Sequence, residues 1–222
     1  MKLFLDTASV EEIRTANRWG VLGGVTTNPS LLAREHASPE AVWKEILTEV
    51  AGDVSLEVTA LDADGMVEQG MRLAEMGPNA VVKVPMTPAG LEAASRFRQE
   101  GIRTNVTLVF SAAQSILAAE VGAYCVSPFL GRLDDAGADG MTVLRTICDL
   151  YAVQGYDTKV LAASLRHPMH VVESALAGAD IATMPFDVFT KLVKHPMTDL
   201  GLERFLADWQ GLQTELDGEA SA

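Results

Sequence analysis

The sequence predicts one α/β domain over residues 1–222, folded as a single (β/α)8 barrel, or TIM barrel, with an additional carboxyl-terminal helix. Short apolar segments with strand character alternate with amphipathic helical segments along the whole chain, which is typical of parallel α/β folds. Eight such pairs in 222 residues favour the barrel over a doubly wound sheet. No Gly-x-Gly-x-x-Gly fingerprint supports that alternative.

The predicted strands are rich in aliphatic and β-branched residues, as expected of strands that are covered on both faces. In the fourth strand, Val82 and Val84 flank a single lysine, Lys83. Pro85 ends that strand, because proline cannot donate a ladder hydrogen bond. The eight strands are predicted over residues 2–6, 23–26, 54–58, 80–84, 102–106, 123–127, 159–163 and 180–184.

Several predicted helices begin with a side chain that can cap them. Ser9 and Glu12 form a capping-box pattern, and Ser38 and Thr87 each precede a proline at the first helical position. Loops are predicted over residues 27–30 and 131–140. The helices are predicted over residues 9–18, 38–50, 62–76, 87–100, 111–120, 141–154, 168–177 and 186–193.

One more helix is predicted after the barrel, over residues 196–216. Its apolar residues recur at helical spacing and are Leu202, Phe205, Leu206, Trp209 and Leu212. The stripe can pack on its own barrel or dock on a neighbouring subunit, and its pattern is compatible with both. Residues 217–222 are expected to form a frayed tail.

Composition restricts the partners. The chain has 30 acidic and 17 basic residues, a formal net charge of −13, which argues against nucleic acid and anionic membrane surfaces. No apolar run is long enough to span a membrane, and Asp6 interrupts any signal-peptide core. Cys125 and Cys148 lie in apolar stretches and suggest no disulfide framework. A cytoplasmic protein is therefore predicted.

Polar side chains stand at the carboxyl ends of seven of the eight predicted strands, the face that carries the chemistry of a (β/α)8 barrel. Taken singly they have structural explanations: Asp6 could cap a helix, and Asn28 could form a turn before Pro29. Together they predict a polar pocket. They are Asp6, Thr26 with Asn28, Glu57, Lys83, Asn105 with Thr107, Ser127, and Ser164 with Arg166.

The residue types suggest a reaction. On its own, Lys83 could be an ordinary lysine whose charged end reaches solvent. A lone lysine in an apolar strand, with two carboxylates nearby, suits Schiff-base formation with a ketone, because burial disfavours the charged ammonium. Of Asp6 and Glu57, one could shuttle protons during imine formation, and the other could remove a hydroxyl proton to break a carbon–carbon bond.

Other residues suggest how a sugar phosphate would be held. Asn28, Asn105 and Ser127 are suited to binding sugar hydroxyls. Arg132 alone would be read as a surface residue, but together with Arg166 it suggests an anion clamp, because arginine binds phosphate bidentately.

No metal site is predicted. His167 and His170 are three residues apart, but no third histidine or cysteine has ligand spacing to them. Lys159 opens its strand and is assigned to the opposite, structural face of the barrel.

Six segments, in order over nearly the whole chain, resemble the signatures of the transaldolase family, which includes the short transaldolases and the fructose-6-phosphate aldolases. These segments are Leu5-Asp6-Thr7-Ala8, Thr26-Thr27-Asn28-Pro29-Ser30, Val82-Lys83-Val84-Pro85, Thr104-Asn105-Val106-Thr107-Leu108-Val109-Phe110-Ser111, Ser127-Pro128-Phe129-Leu130-Gly131-Arg132 and Ala163-Ser164-Leu165-Arg166.

The resemblance implies a cofactor-free transfer of a dihydroxyacetone unit between sugar phosphates. Lys83 would form the Schiff base, Asp6 would act as acid and base at the cleaved bond, and Glu57 would act through a water held with Thr107. The implied donors are sedoheptulose 7-phosphate or fructose 6-phosphate, and the acceptors glyceraldehyde 3-phosphate or erythrose 4-phosphate, as in the pentose phosphate pathway. The remaining substrate-site residues would be Thr26, Asn28, Asn105, Ser127 and Phe129, with Arg132, Ser164 and Arg166 at the phosphate.

Two positions favour transfer over cleavage. The related aldolases carry glutamine where Glu57 stands and tyrosine where Phe129 stands. A tyrosine hydroxyl could position water and protonate the carbanion, so that free dihydroxyacetone leaves. The alternatives are such an aldolase and a non-catalytic sugar-phosphate-binding barrel.

The resemblance also implies a homo-oligomer, a pentamer or a decamer, because the short members form rings whose carboxyl-terminal helices reach neighbouring subunits. One segment departs from the usual pattern. His167-Pro168-Met169-His170 follows Arg166, where relatives often carry other polar residues.

Overall fold

Eight parallel strands pair in chain order and close into a barrel, β8 with β1, in the computed structural model of the protein. The predicted fold is confirmed. The structure describes residues 1–220 and, among their side chains, those of residues 1–217. The strands are β1 Lys2–Asp6, β2 Leu22–Thr26, β3 Asp53–Glu57, β4 Ala80–Pro85, β5 Thr104–Val109, β6 Cys125–Pro128, β7 Lys159–Ala162 and β8 Ile181–Met184.

The strands alternate with helices, and the predicted N-caps are present, although the Ser9 N–H donates to Thr7 Oγ1 and not to Glu12, so the predicted capping box is only half formed. Ser9, Ser38 and Thr87 each accept a hydrogen bond from the backbone N–H three residues later. The helices are α1 Val10–Arg18, α2 Pro29–Leu32, α3 Pro39–Glu49, α4 Ala63–Ala74, α5 Pro88–Gln99, α6 Ala112–Glu120, α7 Leu130–Asp135, α8 Gly140–Gln154, α9 Pro168–Leu176, α10 Phe186–Lys191 and α11 Pro196–Ala220.

Short helices occupy part of each of the two predicted loops. α2 forms because Asn28 caps it and Pro29 occupies its first position. α7 has no side-chain cap; instead, the backbone N–H groups of Leu130 and Gly131 donate to Ala163 O and Ser164 O, each at 3.0 Å. Because those acceptors lie more than 30 residues away in sequence, no local pattern reveals α7.

The fifth strand lies further along the chain than predicted, over Thr104–Val109 and not over residues 102–106. β5 continues past Val106 because its pairing with β4 extends to Thr107 opposite Pro85. Its register against β6 shifts between Val106 and Val109, and within this interval Leu108 adopts a left-handed backbone with φ 60°. Thr107 therefore lies within β5, and not beyond its end.

The interior of the barrel changes character from one end to the other. Phe4, Cys125, Leu161 and Ile181 form a buried apolar cluster, which we call the apolar floor. A Cβ on Gly24 would collide with the Phe4 ring, so only glycine leaves room for it there. Polar side chains lie towards the carboxyl ends of the strands.

The opposite end of the barrel holds a charged network. Tyr124 Oη donates to Asp53 Oδ2 at 2.7 Å, and Lys159 Nζ donates to Tyr124 Oη at 2.7 Å. Arg103 pairs with Asp53 and lies over the Tyr124 ring. Lys159 thus lies on the structural face, as predicted.

The chain divides into the units Met1–Phe189, which holds the barrel, and Thr190–Ala222, which contains α11. α11 extends beyond the predicted end to Ala220, and residues 221 and 222 of the predicted frayed tail lie outside the described part. Its apolar stripe, Leu202, Phe205, Leu206, Trp209 and Leu212, is 46–74% exposed in the single chain. None of the described helices is both long and apolar enough to cross a membrane.

Candidate active site

A cavity of about 560 Å³ opens at the carboxyl ends of the strands. All twelve residues predicted for the site line this cavity. They are Asp6, Thr26, Asn28, Glu57, Lys83, Asn105, Thr107, Ser127, Phe129, Arg132, Ser164 and Arg166.

Lys83 is buried, with only 5% of its surface exposed, so it is not an ordinary surface lysine. Its Nζ donates to Thr27 O at 3.0 Å and lies 3.0 Å from Glu57 Oε2. The pairing of β3, β4 and β5 places Glu57, Lys83 and Asn105 at neighbouring register positions. The lysine and its carboxylate partner are therefore fixed by strand register, a rigid arrangement for chemistry.

Thr107 carries the one buried side-chain N or O atom of the described residues that has no hydrogen-bond partner, its Oγ1. A buried hydroxyl without a partner costs stability, so such atoms are typical of places where a ligand or water binds. Thr107 lines the same cavity as Glu57 and Lys83.

Asp6 is oriented by a chain of threonines. Thr26 Oγ1 donates to Asp6 Oδ1 at 2.7 Å, and Thr183 Oγ1 lies 2.7 Å from Thr26 Oγ1. Sequence reasoning missed Thr183, because β8 ends in an apolar residue. The available signal was the alternation of β8, which points Ile181 and Thr183 to the same side of the strand.

The amide of Asn105 is held on both sides. Ser127 Oγ donates to Asn105 Oδ1 at 2.7 Å, and Asn105 Nδ2 donates to Ser55 Oγ at 3.1 Å. Ser55 was not predicted either, since it lies two residues before the polar end of β3. This buried chain of hydrogen bonds fixes which way the Asn105 amide faces.

The side-chain oxygen of Asn28 stabilises the start of α2. Asn28 Oδ1 accepts from Leu31 N at 3.0 Å, so Asn28 is the N-cap of α2 and does not simply form a turn before Pro29. The Nδ2 amide is left to donate to a ligand. Arg34, just after α2, also lines the cavity and was missed because α2 itself was not predicted.

Two arginines line the other side of the cavity. Arg132, on α7, places its guanidinium 5.2 Å from the centre of the Phe129 ring. Arg166 follows β7, and its Nη2 donates to Asp135 Oδ2 at 2.7 Å. Ser164 lies nearby with a left-handed backbone, φ 59°, a strained conformation typical of functional sites. These donors together can bind a dianion.

No group of three histidine, cysteine, aspartate or glutamate side chains within the described residues has a geometry that would hold a metal ion. Cys125 and Cys148 are buried free thiols. The side chains that line the cavity offer an amine, carboxylates, hydroxyls and guanidinium groups.

Comparisons with known proteins identify the family of the chain. Residues 3–216 match the model of the transaldolase/fructose-6-phosphate aldolase family. A probable transaldolase from Exiguobacterium sp. is 55% identical over 217 residues, which cover 97% of this chain and all of the relative. Probable transaldolases from Roseiflexus sp. and Aquifex aeolicus are each 57% identical, over 96% and 95% of this chain and 99% and 97% of their own.

Proposed function

The chain belongs to the transaldolase/fructose-6-phosphate aldolase family, and we propose that it is a transaldolase with Lys83 as its Schiff-base residue. The observation that carries the proposal is the buried Lys83 amine, 3.0 Å from the Glu57 carboxylate, in a cavity that three arginines also line. An amine serves as nucleophile only after it loses a proton, and the 3.0 Å contact supports Glu57 as the group that accepts it.

The proposed reaction begins with imine formation. The Lys83 amine attacks the ketone carbon of a ketose phosphate and gives a carbinolamine, which loses water to form the imine. Glu57, through a water held with Thr107, takes the proton from the amine and returns it to the departing hydroxyl. The unpartnered Oγ1 of Thr107 supports this role, because it offers a buried hydrogen-bonding site beside the reacting groups.

Bond cleavage follows at Asp6. Its carboxylate removes the proton from the hydroxyl two carbons from the imine, the carbon–carbon bond breaks, and an aldose phosphate leaves. The electron pair of that bond is held as an enamine on Lys83. An acceptor aldose phosphate is then attacked by the enamine carbon, Asp6 returns the proton, and hydrolysis of the imine frees the new ketose phosphate.

The phosphate is proposed to bind Arg132, Ser164 and Arg166. Donors would be sedoheptulose 7-phosphate or fructose 6-phosphate, and acceptors glyceraldehyde 3-phosphate or erythrose 4-phosphate. Guanidinium groups on two different segments can bind one phosphate from two sides. The sugar would be bound by Thr26, Asn28, Asn105, Ser127 and Phe129.

Transfer is favoured over release of free dihydroxyacetone by Phe129. Its ring packs edge-on against Phe110, with centroids 5.9 Å apart, and has no hydroxyl to protonate the enamine. The enamine then persists until an aldehyde arrives. Fructose-6-phosphate aldolase activity is the second candidate, since the family includes both activities.

Two assays test the proposal. Borohydride reduction with fructose 6-phosphate should trap the substrate on Lys83, and peptide mass analysis should locate the adduct. Lys83→Ala should abolish trapping, while Lys159→Arg, at the lysine that opens β7, should retain it. Turnover should require an acceptor aldose phosphate; free dihydroxyacetone formed from fructose 6-phosphate alone would instead identify the aldolase.

We also propose a cytoplasmic homo-oligomer, a pentamer or a decamer. The support is the exposed apolar stripe of α11, because contiguous apolar patches of this kind typically mark protein–protein interfaces. Light scattering coupled to gel filtration should give a mass of five or ten chains. Trp209→Glu, which places a charge in the stripe, should reduce that mass; a monomeric wild type would contradict the proposal.

A further inference from the structure

His170 connects the two segments that carry the arginines of the cavity. It lies on α9, with 6% of its surface exposed. Its Nδ1 accepts a hydrogen bond from the backbone N–H of Arg166 at 3.2 Å, and its Nε2 lies 3.2 Å from Asp134 Oδ2. Because Nδ1 accepts a hydrogen bond, the neutral ring carries its proton on Nε2. The Nε2–H group then donates a hydrogen bond to Asp134.

Asp134 belongs to α7, the helix of Arg132, whereas Arg166 lies in the segment between β7 and α9. The same two segments also meet at Gly131, whose N–H donates to Ser164 O at 3.0 Å. A Cβ on Gly131 would collide with Ser164 O and with the Arg166 side chain, so the segments are in close contact. A small displacement between them would change the spacing of the two guanidinium groups.

Several charged groups surround the imidazole. Burial lowers the pKa of His170 below its ordinary value, and His167, whose ring lies 3.9 Å away between centroids, lowers it further. Asp134 on α7 and Glu173 on α9 act in the opposite direction but do not outweigh burial. Glu173 is itself 3.7 Å from Arg145 of α8. The ring is therefore neutral at neutral pH.

We propose that His170 is a positioning residue for phosphate binding, whose neutral ring holds Arg166 and α7 in the spacing that binds the phosphate. The proposal rests on the proposed function in placing the phosphate at Arg132 and Arg166. A proton on Nδ1 removes the lone pair that accepts from Arg166 N–H and sets two N–H groups against each other. The Arg166 segment then shifts, and phosphate binding weakens as the pH falls.

This direction is unusual and therefore informative. Added positive charge near a site normally strengthens the binding of an anion. The positioning role predicts weaker binding. The displaced Arg166 segment loses contacts with the anion, and this loss outweighs the attraction that the added charge on His170 provides.

Sulfate is a suitable probe, because it remains a dianion over the range in which a phosphate ester takes up a proton, near pH 6. We expect calorimetric titration of the full chain to show sulfate bound roughly 3- to 10-fold more weakly at about pH 5 than at about pH 7.5, the range for one lost hydrogen bond. His170→Asn keeps an acceptor oxygen near the position of Nδ1 but cannot be protonated there. Its sulfate affinity should not weaken on acidification.

The matched control is His167→Ser. Serine can still cap α9, so this variant removes the neighbouring imidazole while it retains the helix. Its sulfate affinity should still fall on acidification, with the midpoint moved to higher pH because a group that lowers the pKa of His170 is gone. Arg132→Ala should lose sulfate binding, which assigns the probe to this site.

Three results would overturn the proposal: sulfate binding by the wild type that is unchanged or tighter at the lower pH, the same acid weakening in His170→Asn, or unchanged binding by Arg132→Ala. If His170→Asn folds poorly, the wild-type and His167→Ser titrations still distinguish weaker from tighter binding at low pH. Failure of the proposed function would appear separately, as absence of a borohydride adduct on Lys83, because sulfate binding needs no turnover.

Discussion

Glu57 Oε2 lies 3.0 Å from Lys83 Nζ, and the two residues face each other across the paired strands β3 and β4. Glu57→Gln keeps the size of this side chain but removes its ability to take up a proton. We expect imine formation and turnover to slow by about 10²- to 10⁴-fold, the usual contribution of a positioned acid or base. Rates of borohydride trapping measure it, with the surface variant Glu68→Gln as control. If Glu57→Gln were trapped at the wild-type rate, Glu57 would have no part in proton transfer.

Phe129→Tyr should alter the outcome of the reaction more than its first step. A phenol placed beside the enamine can supply the proton that converts it into the imine of free dihydroxyacetone. We expect fructose 6-phosphate to yield dihydroxyacetone without an acceptor, while trapping on Lys83 continues. A coupled assay for dihydroxyacetone measures the change, and Phe110→Tyr serves as the aromatic control. An unaltered requirement for the acceptor would contradict the role of Phe129.

Arg132→Ala should weaken the binding of phosphorylated donors. Loss of a charge-assisted hydrogen bond costs about 1.5–3 kcal/mol, so KM should rise by roughly 10- to 100-fold. Steady-state kinetics with fructose 6-phosphate measure this rise. Arg145→Ala removes an arginine that is half exposed on α8 and should leave KM unchanged. Equal KM values for Arg132→Ala and Arg145→Ala would show that the phosphate does not bind at Arg132.

Asp53 should contribute to stability in a pH-dependent way. Burial by itself raises the pKa of Asp53, but hydrogen bonds from Tyr124 and Arg103 outweigh it, and the net shift is downward. A carboxyl whose pKa is lower in the folded state stabilises the fold above its unfolded pKa, and this contribution is lost as the pH falls below about 4. Asp53→Asn should lower the free energy of unfolding by about 1–3 kcal/mol at neutral pH.

Urea unfolding at several pH values measures this contribution. The Asp53→Asn variant should lose less stability on acidification than the wild type does, because the titrating group is gone. Asp64→Asn removes the partner of an exposed ion pair with Arg96 and should change little. Equal losses of stability on acidification in wild type and Asp53→Asn would contradict the assignment.

Both cysteines should resist modification in the folded protein. Burial raises the pKa of the Cys148 thiol to about 11 and raises the pKa of Cys125 further. Since the thiolate is the reactive form, an aromatic disulfide reagent at about pH 8 should react slowly with native protein and titrate two thiols after unfolding. Rapid reaction of one thiol before unfolding would show that a cysteine is accessible.

The sequence was informative wherever a local pattern decides the structure. Strand stops and alternation placed Asp6, Glu57, Lys83 and Ser127 on one face, because the carboxyl ends of parallel strands meet there. The 3.0 Å approach of Glu57 to Lys83 depends on strand register, which is set only when the barrel closes. Strand register also sets the hydrogen bonds that Ser55 makes with Asn105 and that Thr183 makes with Thr26.

Other features depend on contacts between distant parts of the chain. α7 is held by carbonyls that follow β7, and Leu108 takes its left-handed backbone where β5 shifts register against β6. The acidic composition of residues 131–140 led to the prediction of a loop, but the first residues of this segment are helical. The contact of the buried His170 ring with the exposed Asp134 carboxylate likewise joins segments that are far apart in sequence.

The apolar floor has a kinetic consequence. Phe4, Cys125, Leu161 and Ile181 fill the barrel beneath the polar groups, so reactants reach Lys83 from the carboxyl-terminal face. In the proposed reaction, the first aldose phosphate and the acceptor use the same face, and one leaves before the other enters while the three-carbon unit stays attached to Lys83. A transferase built this way should follow ping-pong kinetics, with parallel double-reciprocal plots and exchange of label between donor and first product in the absence of acceptor.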